Sequence, residues 1–190
     1  MRDGMRLMIA ALSVIMAGAM SGAAETARPQ PDILAKAVQA IENLDALRSG
    51  LAGTLERGGT PADKTTFKQV CKPVGMQAKQ MAKANGWNVI QMAAKYRNPK
   101  HQLDADGRQA HTLLEANPTL MGVWMRTQMD DQAGTRYFRR ITVESTCLAC
   151  HGPKDKRPAF VKQGYPDDRA YDFQAGDLRG IYSLFIPDAK

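Results

Sequence analysis

The chain has 190 residues, a formal net charge of +7, 44% apolar residues and three cysteines. That size accommodates one domain with its own core and no need of disulfide staples. The basic excess is spread over Lys79, Lys83, Lys95, Arg97, Arg139, Arg140, Lys154, Lys156 and Arg157; with no basic tract interleaved with aromatics, it argues against nucleic-acid binding and for a solvated surface that steers an acidic redox partner at most.

Residues 1–24 read as a secretory leader. Arg2 and Arg6 form a basic start, Leu7 to Met20 is an apolar run, and Ser21-Gly22-Ala23-Ala24 supplies small residues for cleavage before Glu25. The apolar run is about 14 residues, short of the ~20 that span a bilayer. The expectation is therefore an exported, periplasmic protein, with membrane contact only through a leader that is retained. About 166 residues remain after cleavage, and five of the eleven methionines (Met1, Met5, Met8, Met16 and Met20) leave with the leader.

Residues 25–31 form a polar, Pro-containing linker, and the domain proper is expected over 32–190. From Asp32, read as an N-cap, the spacing Ile33, Leu34, Ala37, Val38, Ile41, Leu44, Leu47, Leu51, Leu55 is helical, ending at Glu56-Arg57-Gly58-Gly59. A second helix starts near Thr65, carries Phe67, Val70 and Cys71, is broken or restarted at Pro73, and stops at Asn85-Gly86. Trp87 to Tyr96 is assigned as a strand, Arg97-Asn98-Pro99 as a turn, and Arg108 to Ala116 as a short helix closed by Asn117-Pro118. Leu120 to Thr127 and Thr135 to Val143 read as strands around a turn at Asp130 to Gly134. A charged loop from Gly152 to Arg157 and a terminal strand from Leu178 to Ile186 complete an α+β pattern.

The motif that carries chemistry is Cys147-Leu148-Ala149-Cys150-His151. It fits Cys-x-x-Cys-His, in which two thiols add to the haem vinyl groups and the adjacent imidazole becomes an axial ligand of the iron. Export supports this reading, because c-type haem is attached outside the bacterial inner membrane by a dedicated maturation machinery. One covalently attached haem c is expected, with Cys147 and Cys150 as attachment residues and His151 as proximal ligand. Zinc leaves His151 unexplained and has unusual spacing.

Cys71 is the odd thiol in an oxidising compartment. It is either a buried small hydrophobe or the second axial ligand. Small electron carriers place the haem motif near the N-terminus with a ligand methionine after it. Here the motif ends 39 residues before the C-terminus and the last methionine is Met129. A four-helix bundle with a late haem motif is also disfavoured, because Pro, Gly and a strand pattern follow His151.

Taken in order, Cys71, Arg97-Asn98-Pro99, Tyr137-Phe138-Arg139-Arg140-Ile141, the CLACHG segment, Tyr165-Pro166-Asp167-Asp168 and Gly176-Asp177-Leu178-Arg179-Gly180 resemble the Tll0287-like family, also catalogued as DUF3365. The resemblance runs from about residue 33 to 187. It implies a PAS-like antiparallel sheet flanked by helices and a covalently held c-type haem ligated by His151 and, on the distal side, Cys71. The chain departs from the family pattern at His101, Leu103-Asp104, Ile90-Gln91-Met92 and Arg140.

The expected function is that of a haem-based redox or gas sensor, because a thiolate ligand favours ferric iron and its departure opens a coordination position. No separate kinase or cyclase segment is evident, so any output passes through an unidentified redox or signalling partner. The alternative is a small periplasmic electron-transfer cytochrome. An enzyme is not expected: His101, His111 and Arg97 are the candidates for a polar distal site, but both histidines read as exposed. Arg97, Arg139 and Arg179 are candidates for haem propionates, with structural ion pairs preferred for each. Met76, Met81 and Met92 read as core fillers, with Met76 near enough to Cys71 to pack on haem. Trp87, Tyr96, Tyr137 and Phe138 read as sheet core, and Lys154 to Arg157 as a solvated loop.

Overall fold

Helix α1, Pro31–Gly58, starts two residues before an N-cap at Asp32 would place it. The Gln30 carbonyl accepts from the N–H groups of Ile33 at 3.0 Å and Leu34 at 3.1 Å, and Pro31 takes the first helical position, where a missing N–H costs nothing. Asp32 thus sits in the first turn near the positive helix end instead of capping it. The computed structural model describes residues 28–58 and 62–189; the expected leader, residues 1–24, and the linker as far as residue 27 lie outside them.

Helix α2, Lys64–Asn85, runs through Pro73 without a break, correcting the expected interruption. Proline cannot donate to the Gln69 carbonyl one turn back. Burial of Val70, Val74 and Met81 against the rest of the fold outweighs that local loss. The helix ends where Gly86 adopts φ +67° and the Trp87 N–H reaches the Ala82 carbonyl at 3.0 Å, a Schellman closure.

Four strands form one antiparallel sheet in the order β1-β4-β3-β2: β1 Asn88–Met92, β2 Gly122–Met129, β3 Gln132–Thr142 and β4 Leu178–Pro187. Residues alternate between its two faces. Tyr137, Ile141, Tyr182, Leu184 and Ile186 pack with Ala37, Ile41 and Leu44 of α1 and with Val74 and Met81 of α2. Phe138, Ile181 and Met92 meet Ala110 and Leu114 of α3, Ala105–Ala116. The fold is α+β, as expected, with helices on both faces of the sheet.

Several boundaries move. Helix α3 begins at Ala105 rather than Arg108 because the Asp104 side chain accepts from the Gly107 N–H at 2.7 Å, an N-cap. The β2–β3 hairpin closes on two residues, with Met129 opposite Gln132, so Gln132 to Gly134 pair instead of turning. Asp130 and Asp131 both adopt positive φ, +50° and +62°, as this tight turn requires. Two short helices after β3 also enter the fold, α4 (Leu148–His151) and α5 (Ala159–Gly164), neither assigned from the sequence. Met76 is 53% exposed and fills no core gap, whereas Met81 and Met92 are buried. Trp87, Tyr96, Tyr137 and Phe138 are buried as expected. Among the described residues no helix is long and apolar enough to cross a membrane.

Candidate functional site

The antiparallel register brings the C-terminal ends of β1 and β3 to the same end of the sheet as the start of β4. The motifs scattered through the sequence meet there. A 3-10 turn, Ser145–Cys147, leads from β3 into α4, so Cys147 and Cys150 stand one helical turn apart with His151 next to the second thiol. Cys147 and Leu148 pack on Val143, Ala170 and Phe173, a small apolar cluster beyond the main core. Backbone bonds from Asp172 N–H to Gly152 O at 2.8 Å and from Phe173 N–H to His151 O at 3.1 Å tie the motif to residues 168–173.

The His151 ring is set by that tie. Its Nδ1 lies 2.8 Å from the Ala170 carbonyl and donates to it, so Nε2 carries the lone pair and makes no hydrogen bond among the described residues. Burial, and then the Arg179 and Arg97 charges, hold the imidazole well below its usual pKa, so it is neutral at pH 7. A neutral imidazole with a fixed Nδ1–H and an open Nε2 is the form that binds a metal.

Asp168 organises the surroundings. Its fully buried carboxylate accepts from Ala170 N–H at 2.9 Å and pairs with Arg157 Nη1 at 2.8 Å and Arg97 Nε at 3.4 Å. Arg97 Nη2 continues to the Cys150 carbonyl at 2.8 Å and lies 3.3 Å from His151 Nδ1. One buried carboxylate therefore anchors both the Arg97 side chain and the carbonyl-bearing residue that orients His151. Arg157 is held here too, not solvated as its loop suggested.

Arg179 has donor capacity to spare. Its Nη1 donates to the Lys95 carbonyl at 3.0 Å, while Nε and Nη2 make no hydrogen bond among the described residues. Burial, followed by the Arg97 charge, lowers its pKa to about 10, against raising contributions from Asp168, Cys147 and Cys71. Two glycines of its segment are conformationally required: Gly176 turns at φ +94°, and a Cβ on Gly180 would stand 2.4 Å from the Met92 carbonyl.

Cys71 completes the set from α2. Its side chain is exposed, yet the protein around it pushes the thiol up to about 11; burial is the largest cause, and the fields of Cys150, Arg97, Cys147 and Arg48 also reach it. Burial raises the Cys150 thiol as well. One turn before Cys71, Phe67 spans to the other wall, 5.8 Å from the Phe160 ring and 6.4 Å from Tyr165. The alternative of Cys71 as a buried hydrophobe does not hold. Three thiols, an open imidazole nitrogen and uncommitted guanidinium donors thus share one region. Among the described residues no three His, Cys, Asp or Glu side chains converge as they would around a bare metal ion.

A second network had no signal in the sequence reading. Arg48 of α1 pairs with Asp45 at 2.7 Å and Glu144 at 2.8 Å, and its Nη1 lies 3.8 Å from Cys147 Sγ. Ser49 also donates to Glu144. These contacts lash α1 to the turn before the cysteine motif. Burial, and then Asp45, push the Tyr182 phenol above its ordinary pKa beside the same network.

The remaining candidates stand elsewhere. Arg139 is committed to Glu42 at 2.9 Å and Asp45 at 2.6 Å, so the structural reading holds for it. Arg140, one of the departures from the family pattern, bonds the carbonyls of Asn117, Pro118 and Leu120 and so closes the α3–β2 connection. Leu103 is core and Asp104 is a cap, so those departures serve folding. His101 is exposed at the rim, its pKa lowered by partial burial and by Arg179. His111, expected on the surface, is buried at 8% exposure on the sheet-facing side of α3.

A family model described as Tll0287-like matches residues 26–187. Among solved structures, one reported as the crystal structure of the cyanobacterial heme-protein Tll0287 is similar, at 51% identity over 84% of this chain and 97% of that chain, with a TM-score of 0.74. Comparison with curated proteins finds no match.

Proposed function

The chain belongs to the Tll0287-like family, and on that premise we propose that it is an exported c-type haem protein that acts as a redox or gas sensor rather than an enzyme. The observation that carries this reading is the 2.8 Å contact from His151 Nδ1 to Ala170 O, which leaves Nε2 free beside the paired thiols. Cys147 and Cys150 would hold one haem covalently, His151 would be its proximal ligand and Cys71 its distal one. Arg179, with two nitrogens uncommitted, suits a haem carboxylate. A PAS-like description of the domain rests on the antiparallel sheet with helices on both faces. Periplasmic localisation rests on the leader pattern of residues 1–24.

When bound, haem would supply a one-electron couple, and His151 and Cys71 would be the residues that hold its iron. The chain's own residues set the conditions. Asp168 and Ala170 fix the His151 tautomer, so that ligand stays. Cys71 has no such clamp: without a metal its sulfur holds a proton, because the thiol is pushed up to about 11. It also sits on a helix whose backbone ladder is interrupted at Pro73, two residues on. With haem held there, Cys71 would be the residue able to take up a proton from solvent, and α2 would be the element that carries the change to a partner.

The alternative is a small electron-transfer cytochrome, favoured by the exposed basic face of α2. Redox titration followed by absorption separates the two. A reversible one-electron wave with unchanged ligation, and no spectral response to CO or NO, supports the carrier; ligand exchange on reduction, or a response to gas, supports the sensor.

A further inference from the structure

Helix α2 carries Lys64, Lys68, Lys72, Lys79 and Lys83, all exposed, and no acidic residue from Lys64 to Asn85. At 3.6 residues per turn the five fall within an arc of about 100°, along a stripe roughly 28 Å long. In sequence Lys79 and Lys83 look like part of a scattered excess; the continuous helix through Pro73 aligns them with the others. The stripe borders Cys71. Beyond Lys83 it runs into a groove of about 490 Å3 lined by Lys79, Lys83, Trp87 and Asn88, where Lys36 Nζ stands 5.8 Å from the Trp87 ring.

The other long helices mix signs: α1 has Lys36, Glu42, Asp45 and Arg48, and α3 has Asp106, Arg108 and Glu115. On α2, Lys64–Lys68, Lys68–Lys72 and Lys79–Lys83 are like-charge pairs four residues apart, which disfavour the helix. No salt bridge among the described residues uses any of the five. Solubility requires net charge but not its alignment on one helix.

We propose that this stripe is the docking surface for a protein partner that presents a linear run of carboxylates, such as an acidic helix. Opposite charges on two narrow ridges steer encounter and fix register. An anionic bilayer fits less well, because Met76 is the large apolar residue that α2 exposes and interfacial helices need an apolar face to insert. A partner on the stripe would lie against the helix that carries Cys71.

The test uses the full haem-loaded protein and labelled poly-L-glutamate as the probe, read by fluorescence anisotropy. Two variants remove equal charge: Lys68→Glu with Lys79→Glu and Lys83→Glu, and a control with Lys100→Glu, Lys156→Glu and Lys162→Glu. Far-UV circular dichroism checks that both fold. The α2 variant should weaken binding by at least about 30-fold and the control by no more than about threefold. Equal losses, or no binding of the probe by the unaltered protein at 50 mM salt, would overturn the proposal. Vesicles of phosphatidylglycerol and phosphatidylcholine form the second arm: tighter binding to them than to poly-L-glutamate, lost in the α2 variant, would replace the protein partner with a membrane surface.

Discussion

His151 Nδ1 lies 2.8 Å from the Ala170 carbonyl, and the N–H of the same Ala170 is held at 2.9 Å by the buried Asp168 carboxylate. The imidazole is thus oriented through a single intervening residue, with Arg97 and Arg157 neutralising the acid behind it. Asp168→Ala leaves two guanidinium groups without their buried partner and frees the peptide. It should lower unfolding free energy by about 3–5 kcal/mol. Asp168→Asn keeps an acceptor for Ala170 N–H and should cost less. Urea unfolding of both variants checks the order; equal, small losses would contradict it.

The hairpin offers a prediction in the opposite direction. Asp131 holds φ +62° in a two-residue turn that favours glycine at its second position. Asp131→Gly removes the steric cost of that conformation and should raise stability by about 1 kcal/mol. Thermal unfolding would reveal the gain, and a loss would show that the Asp131 side chain contributes more than its backbone costs.

His111 gives the fold an acid sensitivity whose sign follows from its environment. Burial, the larger effect, holds its folded pKa below 6.5, while Glu115 opposes. As pH falls through 6.5 the unfolded chain takes up a proton that the folded chain refuses, so stability declines on acidification and is regained above that value. His111→Gln should flatten the slope between pH 5 and 6.5 by up to about 1.4 kcal/mol per pH unit. Unfolding measured across that range would contradict this if the slopes coincide.

The element types and the cysteine motif were readable because each depends on local pattern: helical spacing in α1 and α2, alternation in β2, β3 and β4, and Cys-x-x-Cys-His itself. What escaped depends on contacts between distant residues. Arg48 meets Glu144 across 96 positions, and nothing local marks either residue. His111 reads as exposed from its polar neighbours in sequence, which say nothing of the face it shares. With the Asp104 cap in view, Gly107, Ala110, His111 and Leu114 form one buried stripe. Local pattern shows only the cost of Pro73, not the core contacts of Val70, Val74 and Met81 that outweigh it. Asp168 was visible as part of a Tyr-Pro-Asp-Asp segment, but its service to both Arg97 and His151 is purely tertiary.

Attachment is checked by removing the thiols. In protein matured with haem, Cys147→Ser with Cys150→Ser should make the cofactor extractable into acidified butanone, while the unaltered protein retains it. Retention by the double variant would mean that covalent attachment lies elsewhere.

The most direct measurement is ferric absorption and electron paramagnetic resonance of the haem-matured protein beside its Cys71→Ser variant. With His151 and Cys71 as the two axial ligands, the unaltered protein should give a low-spin signal with thiolate character, and the variant should lose it. Identical spectra from the two proteins would contradict Cys71 as a ligand and remove the basis for a switch on α2.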